Sequence, residues 1–252
     1  DTDPFDDNSH GTHVAGIIAA RDDDAGVVGV APGATIYALK VLDASGHGTF
    51  SNVLAALDWA VANGVQITNN SYGSSEDPGV IVQQAFVNAE AAGILHVAAA
   101  GNSGTCQGTG DAVQFPARYA SVIAVAATDS LDGSPCSSSA GPAVELSAPG
   151  VAVNSTTPGG GYQRLSGTSM ATPHVAGAAA LVLSQAGVGD TNGNGRVNDE
   201  VRARLIATAQ DLGPAGLDTW YGYGLVDARS ATGTTAPRVP AVSVGVSASK
   251  TL

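Results

Sequence analysis

Short apolar runs alternate with helix-periodic segments along the chain, and this alternation constrains the fold more than any other feature. Residues 34–41, 65–69, 94–99 and 121–127 read as strands. Between the first three lie residues 51–63, with Val53, Leu54, Leu57, Trp59 and Val61 on a helical repeat, and residues 80–91. Strands joined through helices of that length need right-handed crossovers and build a parallel sheet. The expected fold is α/β, with a mainly parallel central sheet and helices on both faces. Further helices are expected at 168–185 and 198–207. The first is small and apolar all round from Val175 to Leu181, so it must be buried. Residues 104–120 and 128–168 are rich in Gly, Ser and Pro and hold short strands at best.

A length of 252 residues suits one large domain, or one domain and a short tail. Thr-Gly-Thr-Thr-Ala-Pro from Thr232 is a linker signal, and Val242–Val246 alternates like a strand. The expected division is a domain over 1–231, with 232–252 a linker and the start of a further module. The single Met is Met170, and the chain starts at Asp1 without an apolar leader, which reads as a processed chain or a fragment. Ten basic residues against 22 acidic ones give a net charge of −12, which argues against nucleic acid and anionic membrane as partners. The longest apolar run, Val175 to Leu183, is too short to span a bilayer. Cys106 and Cys136 lie in loops, outside any Cys-x-x-Cys or Cys/His cluster, which points away from zinc. One loop-clamping disulfide in an oxidising compartment is expected, with two free thiols as the alternative.

Three segments carry candidate chemistry. In Asn8-Ser9-His10-Gly11-Thr12-His13-Val14-Ala15-Gly16, small residues around His10 let backbone approach the ring, which suits a general base. The pair of histidines lacks the Glu of a zinc-protease motif, and His13 reads as structural. In Val97-Ala98-Ala99-Ala100-Gly101-Asn102-Ser103-Gly104, a strand ends and an Asn follows, where its amide could donate to a developing oxyanion. In Ser166-Gly167-Thr168-Ser169-Met170-Ala171-Thr172-Pro173-His174, Ser169 falls near a helix N-terminus, where free amides favour negative charge. Taken singly, these also read as an ordinary turn and a helix cap.

Together the three blocks closely resemble those of the subtilisin-like serine proteases. His10 and Ser169 lie 159 residues apart, against about 157 in the subtilisin chain order. The likeness runs from about Asp3 to Ala231 and includes Gly29-Val30-Ala31-Pro32 and Tyr221-Gly222-Tyr223-Gly224-Leu225-Val226. It implies a secreted, monomeric endopeptidase of broad specificity, working through an acyl-enzyme on protein or peptide substrates. Ser169 would be the nucleophile and His10 its base, with Asn102 and the Ser169 amide forming the oxyanion hole. Gly46-His47-Gly48 and Ser71-Tyr72-Gly73 resemble the edges that pair with substrate backbone. Phe50 and Tyr72 would line the pocket for the fourth residue before the cut. Ala99, Ala100, Gly101 and Gln114 would enclose that for the residue before it, with a leaning to apolar or medium-sized side chains.

The resemblance also marks a gap. The triad Asp lies about 32 residues before the His in that template, and only nine residues precede His10 here. Asp1, Asp3, Asp6 and Asp7 are too close and read as loop acids. The expectation is a fold lacking its N-terminal strands, with a slot unfilled and little peptidase activity from residues 1–252 alone. A propeptide or the missing N-terminal segment is an implied partner. The alternative is an inactive binding or scaffold protein of the same fold. An α/β-hydrolase is excluded because position 171 is Ala rather than the second Gly of Gly-x-Ser-x-Gly. Two loops suggest structural Ca²⁺ and no organic cofactor. Arg21, Asp23, Ala25 and Val27 resemble the family's strong calcium loop. Asp190, Asn192 and Asn194 match EF-hand positions, with Gly195 at the turn and Glu200 one residue short of the terminal ligand. Asn198 as a helix cap is the competing reading there.

Overall fold

The computed structural model describes residues 3–108, 110–185, 188–233 and 243–247. Its elements run α1 (His10–Ala19), β1 (Thr35–Leu39), α2 (Phe50–Ala62), β2 (Ile67–Asn70), α3 (Val80–Ala91), β3 (Leu95–Ala99), β4 (Val122–Thr128), β5 (Val144–Pro149), β6 (Val153–Thr157), β7 (Gly161–Leu165), α4 (Thr168–Leu183), α5 (Asn198–Ala207), α6 (Ala228–Thr232) and β8 (Ser243–Ser247). Six strands form a parallel sheet in the order β1-β8-β2-β3-β4-β5, while β6 and β7 pair as an antiparallel hairpin.

The strands and the four helices read from periodicity are present, each with ends shifted by no more than a few residues. Strand alternation divides the interior into two layers. Ile123 and Val125 of β4, with Val97 of β3, pack against α1, α4 and α5. Val122, Ala124 and Ala126, with Ala98, pack against α2 and α3. Helix α4 is buried on every side, and Gly177 lets it close on Val30: a Cβ at 177 would lie 2.7 Å from the Val30 Cβ.

The tail differs from its reading. The alternating stretch is a strand, but it stands inside the main sheet, with Thr35–Leu39 paired to Ser243–Ser247 on one side and Ile67–Asn70 paired to Val244–Ser247 on the other. A five-residue strand gains ladder partners on both edges in that position, which a tail standing apart would lack. The sheet is therefore continuous from β1 to β5, and no slot stands open between β1 and β2.

Candidate active site

Helix α4 brings Ser169 to its first turn. Gly167, with φ 148°, turns the chain out of the loop and into the helix. The Thr168 N–H donates to Asn102 Oδ1 at 2.9 Å, and the Thr168 hydroxyl donates to the same oxygen at 3.2 Å. The Gly101 N–H donates to Thr168 Oγ1 at 3.1 Å, so the end of β3 and the start of α4 are locked together. With its oxygen engaged, exposed Asn102 has its amide N–H₂ to offer as a donor. The amide lies against Gly167, where a Cβ would be 3.2 Å from Oδ1 and 3.3 Å from Nδ2. Ser169 itself is 9% exposed, and its hydroxyl donates to the Ser71 carbonyl at 3.3 Å. Its N–H is one of the first-turn amides that a helix leaves without an internal partner.

His10 opens α1 and is 7% exposed. Ser9 precedes it with φ 77°, and the cap comes from further back. Asp6 Oδ1 accepts from the Asn8 and Ser9 N–H groups, and Oδ2 accepts from the Thr12 N–H and hydroxyl. Burial opposes the charge on Asp6, yet these bonds outweigh it and hold the carboxyl below its ordinary value. Asp7 pairs with Lys40 at 2.9 Å, and Asp3 Oδ1 accepts the Phe5 N–H. These three acids do work as loop and cap carboxylates, while Asp1 lies outside the described residues. His13 joins α1 to the hairpin: its Nε2 lies 3.1 Å from Val153 O and 3.0 Å from Gln163 O, which requires an N–H there. Ser155 and Thr156 donate back to the carbonyls of His13 and Thr12. Burial pushes His13 below its ordinary value. His174 is half-buried in α4, its Nδ1 bonded to Met170 O.

Gln114 ties two of the expected substrate-contacting segments together. Gln114 lies across both Gly73 and Gly101: a Cβ at 73 would sit 2.5 Å from Gln114 Oε1, and one at 101 would sit 2.7 Å from Gln114 Cγ. Only glycine at these two places lets the side chain pass. Ala100 O accepts the Gln114 N–H, and Ser74 exchanges two backbone bonds with Phe115. Ala99 and Ala100 are buried beside them. Gly46 (φ 78°) and Gly48 belong to a turn closed by Asp43, whose N–H bonds His47 O and whose Oδ1 accepts from His47 and Ser45. Tyr72 is 3% exposed and its hydroxyl donates to Asn70 Oδ1, while half-buried Phe50 packs against the same apolar cluster. Cys106 and Cys136 form a disulfide. Beside it, Gly104 N–H bonds Ser137 O and Ser139 N–H bonds Gly101 O, which clamps the Asn102 loop.

Among the described residues no group of three or more His, Cys, Asp or Glu side chains is arranged to hold a metal. The 190–200 loop nonetheless has a cation-loop character. Asp190 accepts from the N–H groups of Gly193, Asn194 and Gly195, led by the Gly195 bond in holding its carboxyl low. Asn192 and Asn194 donate to Asp199 Oδ2. Asp199 Oδ1 and Glu200 Oε2 are buried without a donor from elsewhere in the described residues, and the two neighbouring carboxyls interact with each other. These two acids were not in the sequence-derived ligand set, and paired carboxyl oxygens of this kind suit a hard cation. Asn198 is not the cap: it opens α5 and its Nδ2 donates to Glu90 O and Ile94 O. Residues 21–26 are exposed and Val27 half-buried.

With this geometry in place, comparison with known proteins is decisive. A model of the subtilase family matches residues 1–224. The chain belongs to the subtilase family. It is 46% identical over 226 residues to subtilisin DY of Bacillus licheniformis, covering 90% of this chain and 78% of that protein. It is 47% identical over 227 residues to subtilisin Savinase of Lederbergia lenta, with the same coverage. It is 48% identical over 227 residues to a thermostable alkaline protease of Halalkalibacterium halodurans, of which it covers 58%. As a subtilase the chain is a serine endopeptidase whose substrates are peptides.

Proposed function

We propose that Ser169 attacks the scissile carbonyl, that His10 takes its proton and returns it to the leaving amine, and that the Asn102 N–H₂ and Ser169 N–H hold the oxyanion. The observation that carries this reading is the fixing of Asn102 by Thr168. Two bonds from Thr168, the residue before Ser169, hold the amide oxygen and leave its donor end to point elsewhere. Substrate backbone pairs with Gly46–Gly48 and Ser71–Gly73, and specificity is broad because main-chain bonds supply the affinity. Gln114, Ala99, Ala100 and Gly101 bound the pocket for the residue before the cut, which takes apolar or medium-sized side chains. Phe50 and Tyr72 contribute to the pocket three residues earlier.

The chain works as a secreted monomer, a reading supported by its disulfide. No helix among the described residues is long and apolar enough to cross a membrane. Structural Ca²⁺ binds at Asp190, Asn192 and Asn194, joined by Asp199 and Glu200. A second ion binds at Arg21, Asp23, Ala25 and Val27. Bound there, the ion supplies charge compensation for the clustered carboxylates and takes no part in the chemistry. Asp6 and Asp7 take no part in the chemistry, because they are committed to the α1 cap and to Lys40.

The test is hydrolysis of a peptide anilide by the chain, beside its Ser169→Ala and His10→Ala variants. Hydrolysis that vanishes in Ser169→Ala and falls strongly in His10→Ala supports the reading. Hydrolysis unaffected by Ser169→Ala overturns it.

A further inference from the structure

Pro173 lies four residues after Ser169 in α4 and has no N–H. In an uninterrupted helix that N–H would bond the Ser169 carbonyl. The Ser71 hydroxyl supplies the missing donor, at 2.8 Å from Ser169 O. Ser71 is fully buried at the end of β2, and Asn69 Nδ2 donates to its Oγ at 2.9 Å. A hydroxyl has one proton to give. With Asn69 as a donor on its oxygen, Ser71 gives that proton to Ser169. The chain of bonds thus runs Asn69 to Ser71 to Ser169, and the Ser169 hydroxyl closes it by donating back to Ser71 O at 3.3 Å.

We infer that Ser71 is a positioning residue for Ser169: its side-chain hydroxyl replaces the backbone donor that Pro173 removes and so sets the first turn that carries the nucleophile. This deepens the reading of Ser169 as nucleophile and rests on it. A carbonyl in that place without a donor would relax the turn toward any available N–H or water, displacing Ser169 Oγ from its attacking position.

The consequence is an exchange that no merely structural role produces. Replacing Pro173 by Ala restores an N–H within reach of Ser169 O, so it should make the Ser71 hydroxyl dispensable. The experiment compares Ser71→Ala, Pro173→Ala and the double variant in the full chain. It measures the rate of phosphonylation at Ser169 by a fluorophosphonate and the thermal midpoint. Ser71→Ala alone should slow labelling about tenfold, the scale of one buried acceptor left without its donor. On the Pro173→Ala background the same change should alter the rate by no more than about twofold, the additivity error of independent sites. An equal penalty on both backgrounds, or none on the native one, overturns the inference. If Ser169 is not labelled in any variant, the nucleophile reading fails. The midpoints then still decide the hydrogen-bond exchange: non-additive shifts support it and additive ones reject it. Should Ser71→Ala fold only together with Pro173→Ala, that rescue supports the inference; should neither fold, the rescue has failed and the inference falls.

Discussion

The serine end of α4 and the histidine end of α1 each carry one half of the proposed catalytic pair, and they are held in different ways. Around Ser169 the bonds are short-range and between neutral groups: Asn102 to Thr168, Thr168 to Gly101, Ser71 to Ser169. Three elements meet there, and the backbone is set by Gly167 and Pro173. The α1 end depends instead on one carboxylate, Asp6, and on His13 gripping the β6–β7 hairpin. The nucleophile is thus fixed by packing and neutral hydrogen bonds, while the base is placed by groups that titrate. Acid should therefore disturb the base before it disturbs the nucleophile.

The largest expected effect lies at the serine end. Asn102→Ala removes an oxyanion donor and the Thr168 bond together, and steady-state kinetics should show a loss of about 10²–10³ in kcat. A loss confined to KM would place Asn102 in substrate binding only. Next comes the loop clamp. Replacing Cys106 and Cys136 by Ser opens a link across a sequence separation of 30 and should cost about 3–4 kcal/mol in denaturant unfolding.

The histidine end gives smaller effects. Asp6→Ala removes the cap of α1 and should cost about 1 kcal/mol of stability. It should also slow acylation at Ser169 by moving His10. An acylation rate unchanged in Asp6→Ala would show that α1 holds His10 without its cap.

The pH dependence follows from Asp6 and His13, and from His96 buried in β3, with its sign fixed by their shifts. His13 and His96 are buried and titrate below 6.5, His96 at about 3, so their neutral forms are the folded ones. Stability from them is full above pH 6.5 and is lost as pH falls, because the unfolded chain takes up the protons first. Asp6, held below 3.8, adds a further loss at more acidic pH. The thermal midpoint should fall steadily below pH 6.5, and His96→Gln should flatten the decline between pH 6.5 and about 3. A midpoint constant over that range would contradict the burial argument.

The smallest effect concerns β8. Gly245 weakens a strand interior, and a Cβ there would meet Val65 at 3.4 Å and Leu39 at 3.8 Å, ordinary contacts. Gly245→Ala should raise stability by about 0.5–1 kcal/mol.

What was legible in the sequence was what local pattern encodes. Short apolar runs gave β1 to β4, period 3.6 gave α2 and α3, and the apolar Val175–Leu181 run gave the buried helix. The three motif blocks gave Ser169, His10 and Asn102. The rest depends on contacts that pattern does not carry. The strand character of residues 243–247 was readable, but a parallel strand's partners are non-local, so its place between β1 and β2 was not. The α1 cap is supplied by Asp6, four residues before the helix begins, rather than by the adjacent Ser9. The bond from Ser71 to Ser169 joins residues 98 apart, although Pro173 was a signal that Ser169 would need a donor from elsewhere. Asp199 and Glu200 meet the loop because the first turn of α5 lies against Thr191 and Asn192, which a register of spaced ligands does not show.

The central claim is that Ser169 is a nucleophile prepared by its own turn and activated by His10. The most direct measurement is the rate and site of fluorophosphonate labelling in the native chain and in His10→Ala, followed by peptide mapping. The account predicts a single adduct on Ser169 that forms far more slowly in His10→Ala. A label on another residue, or an equal rate in the two proteins, would contradict it.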